Sequence, residues 1–415
     1  MKDAISGQSS DERLDRRIYV LAIGRFISMI GTGFTTFYAP VFFVKSVGIS
    51  ATLVGLGLAA NSAAGSIARI LGGSLSDSEK FGRSKTLLIS SLTLTLASVL
   101  MGCVKEFNLF LAANALLGFG IGLYWPAAEA MIADLSNEKN RHHAYALNRF
   151  ADYGGLGIGV VFAGLLVQFS GAFRLLFFAD AVSYLILSLA IFLGIKESEH
   201  RGQSANLISS WLKALRDPCL QKYAFANVLM TNYIVQISSS IPLYLSEQVR
   251  FGSQKALSPV LLSSLFAVHV GIVALCQMPL SKALAKLKSA QSLLLSALIW
   301  GIAFLCLSAC GKENSNLQFA LAALSLVIMS IASVVYGPPS SALIVEMAPL
   351  ESRAIYFSIN SLCWALGGIL GPPLVLSAMD KFPTKMSEIW LLMAASTLIP
   401  ASIFQNLKKR TQNQD

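Results

Sequence analysis

Residues 124–134 read YWPAAEAMIAD and residues 141–160 read RHHAYALNRFADYGGLGIGV. One ungapped shift lays both stretches on a second copy. Tyr124 falls on Tyr336, Pro126 on Pro338, Arg141 on Arg353 and Asn148 on Asn360. The same shift brings Gly155 to Gly367 and Gly159 to Gly371, and Asp134 meets Glu346, an acid for an acid. The fourth and fifth apolar blocks of the chain are therefore repeated as the tenth and eleventh. Self-similarity on this scale sets the architecture. A repeat of six spans keeps every helix direction, so the halves are expected to be related by an axis along the membrane normal.

Around this repeat, the 415 residues are 54% hydrophobic and only 13% charged. The apolar residues run in unbroken blocks of about 20, the length that crosses a hydrocarbon layer as a helix. Backbone groups in lipid must be satisfied within the chain, so such blocks are helices, and the alternating pattern of a membrane barrel is absent. The spacing predicts spans over 17–44, 51–76, 84–103, 107–133, 143–168, 171–195, 222–247, 257–281, 290–310, 316–345, 353–379 and 385–407. The fold class is thus an all-α membrane protein, twelve transmembrane helices in two pseudo-symmetric six-helix bundles. The predicted organisation is residues 1–195 as an N-terminal six-helix bundle, 196–221 as a cytoplasmic linker and 222–415 as a C-terminal six-helix bundle.

The stretch before the first block carries charge but is followed by no small-residue cleavage site, so the first span is read as retained. With the amino terminus inside, about 21 of the 32 Lys and Arg fall on cytoplasmic segments, which predicts both termini cytoplasmic in a cell inner membrane. The net charge of +10 reflects that bias. Because the basic residues are spread over separate loops, nucleic acid is not an expected partner. In the longest polar connection, Trp211 and Leu212 alternate with basic residues, as in a short interfacial helix. The six cysteines form no C-x-x-C pair, and neither a metal nor a disulfide framework is expected.

At the end of the second span, Gly73-Ser74-Leu75-Ser76-Asp77 is followed by Gly82-Arg83-Ser84-Lys85. This resembles the signature loop of the major facilitator superfamily, with two residues, Glu79 and Lys80, inserted before the second glycine. The resemblance implies that Asp77 docks near the amino end of the helix beginning at Arg353, where free N–H groups favour negative charge. It further implies that Arg83 pairs with Asp134, so that Gly73, Asp77, Gly82, Arg83, Asp134, Arg141, Glu346 and Arg353 form a cytoplasmic gate. The plainer alternative is a positive-inside loop with a turn glycine. The corresponding loop of the second half, Lys282 to Lys288, has neither glycine nor aspartate. In the fifth span Gly155, Gly159 and Gly164 are similar to the glycine-rich motif of the antiporter branches, with Val160 where those branches carry proline. Gly367, Gly371 and Pro372 repeat the theme in the eleventh. Small residues four apart let backbones approach and proline loosens a helix, so packing and hinge readings both stand.

Ionisable residues inside spans are costly and are functional candidates. Arg25 heads a stripe with Ser28, Thr32 and Thr35 on one face of the first span. Asn114 and Glu129 share a face of the fourth, and the proton-coupled branches carry arginine where this chain has Asn114. Arg149 and Asp152 are spaced to pair along the fifth, and Asp180 sits within the sixth. At 1.5 Å per residue Arg25 and Glu129 come within several Å in depth. Since first and fourth helices line the cavity in the family, an Arg25–Glu129 pair is expected there, set against a permanent structural pair. Asn227, Asn232, Gln236 and Asn360 extend the candidate substrate and proton cavity into the second half, and suit an uncharged or moderately apolar solute. His269 stands alone among apolar residues and reads as a core histidine. Tyr124, Trp125, Trp300 and Tyr336 could line a pocket, but aromatic residues in a helix bundle more often simply pack.

No phosphate-binding loop, nucleophile elbow or zinc-helix motif occurs, so neither an enzyme nor a cofactor is expected, and the energy must come from a gradient. The resemblance implies a secondary active transporter for a small organic solute, a proton-coupled exporter of the drug-efflux kind, monomeric in the lipid bilayer. An importer or facilitator of a sugar, organic acid or other nutrient is the alternative within transport. A transport-inactive sensor or scaffold is the alternative outside it.

Overall fold

The computed structural model describes residues 14–76, 78, 80–136, 140–195, 214–249, 257–284, 287–310, 315–349 and 353–412. Asp77 and most of the expected linker, with Trp211 and Leu212, lie outside them, as do the side chains of Arg141 and Arg353. Among the described residues there are helices and turns and no strand. In chain order the helices are α1 (Arg16–Thr36), α2 (Ala39–Lys45), α3 (Ala51–Ser76), α4 (Gly82–Cys103), α5 (Phe107–Leu135), α6 (Arg141–Ser170) and α7 (Phe173–Gly194). The second half continues with α8 (Pro218–Gln236), α9 (Ser240–Gln248), α10 (Pro259–Leu284), α11 (Ser289–Cys310), α12 (Ser315–Met347) and α13 (Arg353–Lys381). It ends with α14 (Met386–Ser396) and α15 (Leu398–Gln412).

Eleven of these helical segments are long and apolar enough to cross a membrane among the described residues. The twelfth expected span is α8 with α9, interrupted at 237–239. A break at membrane depth needs replacement hydrogen bonds for the backbone. Shorter backbone bonds supply them, Ile237 N–H to Ile234 O at 3.1 Å and Ser238 N–H to Val235 O at 3.2 Å, and Ser239 Oγ donates to Val235 O at 2.9 Å. Gln236 adds side-chain bonds. Its Nε2 donates to Asn232 Oδ1 at 2.7 Å, and its Oε1 accepts from Ser240 Oγ across the break. The first span is interrupted likewise at Phe37–Tyr38, where Thr36 Oγ1 donates back to Thr32 O at 2.6 Å and Pro40 opens α2.

The chain divides into two compact units, Met1–Thr36 with Ala60–Gln203, and Phe37–Ala59 with Ser204–Asp415. In the first unit α1 lies along α6 and α7, and α4 along α5 and α7. Glycines set these spacings. A methyl group on Gly155 or Gly159 would strike the carbonyl oxygen of Phe26 or Ile30 on α1, and one on Gly118 would strike Asn61 O on α3. The core is apolar, with Leu94, Met131, Leu187 and Ile191 buried. Phe150, Phe169, Phe192 and Leu193 are exposed, an outer surface suited to hydrocarbon rather than water.

In the second unit α11 packs on α12 and α14, and α8 on α13 and α15. Its centre is aromatic. Phe304 stacks on Trp390 with centroids 6.0 Å apart, and Tyr244 meets the Trp390 edge at 5.4 Å. The stretch 37–59 is tied in by three polar contacts. Tyr38 OH donates to Pro259 O, Lys45 Nζ donates to Ser246 O at 2.6 Å, and Asp380 accepts from the Thr52 N–H at 2.6 Å. Asp380 thereby caps α3, whose first N–H groups have no partner inside the helix.

Candidate functional site

Arg25 is only 8% exposed, and a buried guanidinium is tolerated only with partners. Its Nε donates to Asp152 Oδ1 at 2.7 Å, and its Cζ lies 4.4 Å from the Tyr124 ring centroid and 5.2 Å from that of Trp125. A cation over an aromatic face is drawn to the negative ring centre, more strongly where water is excluded. Arg149 brings a second positive charge, 3.7 Å from Asp152 Oδ2, 4.0 Å from Glu129 Oε1 and 5.3 Å from the Trp125 ring. Together with Tyr145 and Asn148 these side chains line one recess of the first unit. Two arginines and two acids thus share an aromatic pocket, and Asp152 is bonded from both sides.

The expected Arg25–Glu129 pair is corrected: Arg25 binds Asp152. Gly155 and Gly159 draw α6 against α1, so Asp152, on the same face, meets the guanidinium directly. Glu129 lines the recess on α5, but its side chain is 55% exposed and its near partner is Arg149. The expected pairing of Arg149 with Asp152 is present. A single cavity holding every polar candidate of this half is corrected as well. Asn114 is buried where α5 meets α4, its Nδ2 donating to Phe110 O at 3.0 Å. Asp180 is buried between α1, α4 and α7 and accepts from Ser98 Oγ at 2.8 Å. Neither lines the recess.

The second unit carries neutral networks. Asn360 Oδ1 accepts from Asn227 Nδ2 at 2.8 Å and from Tyr223 OH at 2.9 Å, and Tyr336 OH donates to Asn227 Oδ1 at 2.6 Å. Asn232 and Gln236 form the separate group that spans the helix break. Gly367 faces Thr231 and Gly371 faces Asn232, both too close for a side chain, and Pro373, beside Pro372, contacts Gly55. The repeat makes the contrast legible. Tyr124 corresponds to Tyr336, but Asp152 corresponds to Trp364, whose ring lies 6.1 Å from Tyr336. An ion pair in one copy is an aromatic pair in the other. His269 is a core residue, its Nδ1 sharing a hydrogen with Ser330 Oγ at 2.8 Å.

At the gate motif Arg83 forms an ion pair with Asp134, and its Nη1 also donates to Ala130 O at 2.7 Å. Gly82 has a φ of 68°, the left-handed region that lets the chain turn into α4. Gly73 has open space around it, and Glu346 accepts from Ser289 Oγ. Tyr124 and Trp125, which read more readily as packing residues, both line the recess, as does Tyr145, which sequence reasoning missed. For Tyr124 the available signal was its persistence as Tyr336 in the repeat. Tyr145 carries no such mark.

Membrane-length helices that bring two arginines and two acids together in one recess have the pattern of a membrane transport protein. The sequence pattern of the Major Facilitator Superfamily matches residues 21–372 and again 250–408, and the chain belongs to that superfamily, a family of transporters rather than enzymes. It is similar to the uncharacterized MFS-type transporter YttB of Bacillus subtilis, 26% identical with 86% of this chain and 87% of that protein covered. It is 23% identical to the Na(+), Li(+), K(+)/H(+) antiporter of Planococcus maritimus, over 86% of this chain and 88% of that one. The multidrug resistance protein MdtH of Yersinia enterocolitica is also 23% identical, over 85% and 84%. Among solved structures, the peptide transporter POT in complex with sulfate superposes with a TM-score of 0.80 at 14% identity, covering 99% of this chain and 98% of that one. A mutant of the nucleoside transporter NupG gives 0.78 at 13% identity, over 94% and 99%. The chain is accordingly a multi-pass integral membrane protein with the twelve-helix fold of that superfamily.

Proposed function

We propose that this protein exports a small organic solute in exchange for protons, by alternating access, as a monomer in a cell inner membrane with both termini cytoplasmic. The observation that carries the reading is Asp152 held between Arg25 and Arg149 inside the recess. While ionised, Asp152 fixes Arg25. A proton on Asp152 removes the counter-charge of Arg25 and leaves it a neutral acceptor beside the Tyr124 and Trp125 faces, so proton occupancy and the arrangement of the recess are linked. A solute that stacks on Trp125 and offers a positive or hydrogen-bond-donating group to Glu129 displaces Arg149 from that acid, and Arg149 is then left to hold Asp152 in its ionised form. Proton and solute then exclude one another, which is the logic of exchange. Relatives named as a multidrug resistance protein and a cation/proton antiporter support the direction. Under this proposal Arg83–Asp134, with Asp77, latches the cytoplasmic end, and residues 1–195 and 222–415 move as the two bundles.

Purified protein in proteoliposomes tests the proposal with a panel of organic cations, dipeptides, nucleosides, sugars and alkali-metal salts, with and without an imposed pH gradient. Movement of one class opposite to the protons is the expected result. Movement in the same direction as the protons would make it an importer. No movement of any class, from protein of normal stability, would leave a sensor or scaffold.

A further inference from the structure

Asp180 lies outside the charged recess, and its surroundings are unusual for an aspartate. It is 3% exposed, one oxygen accepts from Ser98 Oγ at 2.8 Å, and the other, Oδ1, has no hydrogen-bond partner. The groups around it come from α1 (Ser28, Gly31, Thr32), from α4 (Ser98) and from its own helix (Ser183, Tyr184), and none of them is charged. On α1 the charged side chain next in sequence is Arg25, and that arginine is bonded to Asp152. Among the described residues no basic group lies within ion-pair distance of Asp180.

An ionised carboxylate in such a place would be a buried charge with one hydroxyl for company, which costs several kcal/mol. Two relief mechanisms exist, a bound cation or a bound proton. A metal cation gathers about six oxygens. There is no room for one here, because a Cβ placed on Gly31 would already lie 2.7 Å from Oδ1 and 2.8 Å from the Ser183 Cβ. A proton needs no such space.

We propose that Asp180 is a protonation site separate from the charged recess, neutral in this conformation, which gives up and regains its proton during transport. The second half of that statement rests on the proton-coupled exchange proposed for the protein. The seat has a route to move. Gly31 and Thr32 are in the final turns of α1, just before the chain leaves the first unit at Thr36. Thr32 Oγ1 shares a hydrogen with Tyr184 OH at 2.8 Å and donates to Ser28 O at 3.1 Å, while Ser183 Oγ faces the same carbonyl at 3.5 Å. Hydroxyl groups thus lie beside Asp180 along α1 on the side toward Arg25, with Ser183 Oγ donating to the Asp180 backbone carbonyl at 2.7 Å.

Infrared spectroscopy of the full-length protein in lipid at neutral pH reads the acid directly, without substrate or gradient. A protonated carboxylic-acid band is expected in the wild type, lost in Asp180→Asn and retained in Asp152→Asn. Ser98→Ala keeps Asp180 but removes its one hydroxyl donor, so the band should shift, which decides the matter should Asp180→Asn fail to fold. No band in the wild type, or a band unchanged by both variants, overturns the neutral acid. Transfer to heavy water should move the band, and a band that never moves overturns proton exchange. Since neither arm uses a transported solute, a failed panel experiment would remove the coupling proposal while these spectra still decide the state of Asp180.

Discussion

A single side chain, Asp152, holds two arginines in the recess, and its removal has a defined cost. Asp152→Asn keeps an acceptor oxygen but leaves the buried Arg25 without its counter-charge, and breaking a buried ion pair from one side costs about 3 kcal/mol. We expect a matching fall in unfolding temperature in detergent and loss of gradient-driven transport. Glu129→Gln, at a side chain 55% exposed, should leave stability within about 0.5 kcal/mol of wild type. Arg83 and Asp134 permit a cleaner measurement, because a double-mutant cycle with alanine should return a coupling of about 1 kcal/mol or more. Additive losses would show that the two do not interact. The sequence made Arg25, Glu129, Arg149 and Asp152 legible as a group, since charges within apolar blocks are conspicuous. The Arg149–Asp152 pair was readable from spacing along one helix, but the partner of Arg25 on another helix was not. Depth along a helix follows from counting residues, whereas the facing neighbour depends on helix rotation, which Gly155 and Gly159 settle only once α1 is seated on α6.

Among the helices, glycine positions that look alike in sequence are not alike in packing. Gly118→Val and Gly159→Val push side chains into the backbones of α3 and α1 and should cost about 1–3 kcal/mol each, read as loss of folded protein. Gly73→Ala meets nothing and should stabilise α3 by up to about 1 kcal/mol through helix propensity alone. An unchanged thermal stability in Gly159→Val would contradict the close crossing of α1 and α6. Asp380→Ala removes the cap from α3 and should cost about 1 kcal/mol. Span positions were readable because a membrane enforces length and apolarity together. The interruptions after Thr36 and Gln236 were not, because the bonds that permit them come from the backbone itself and from the hydroxyls of Thr36 and Ser239, ordinary polar residues in an apolar block.

For the molecule as a whole, the stretch Phe37–Ala59 is followed in sequence by first-unit helices but coheres with the second unit. The alternating access proposed above requires that grouping to change during the cycle. Cysteines at Thr52 and Asp380, in a protein cleared of its own six, should therefore stop transport under oxidant and restore it under reductant. Undiminished transport by the bridged protein would show that this contact never opens. The break between α8 and α9 has a consequence for topology. Among the described residues eleven helical segments are long and apolar enough to cross, an odd number that would leave the ends on opposite faces. The polar α8, 19 residues long, together with α9 makes a further crossing and restores an even parity. Reporters fused to the two ends should therefore light up on the same side, and deleting α8 and α9 together should flip one of them.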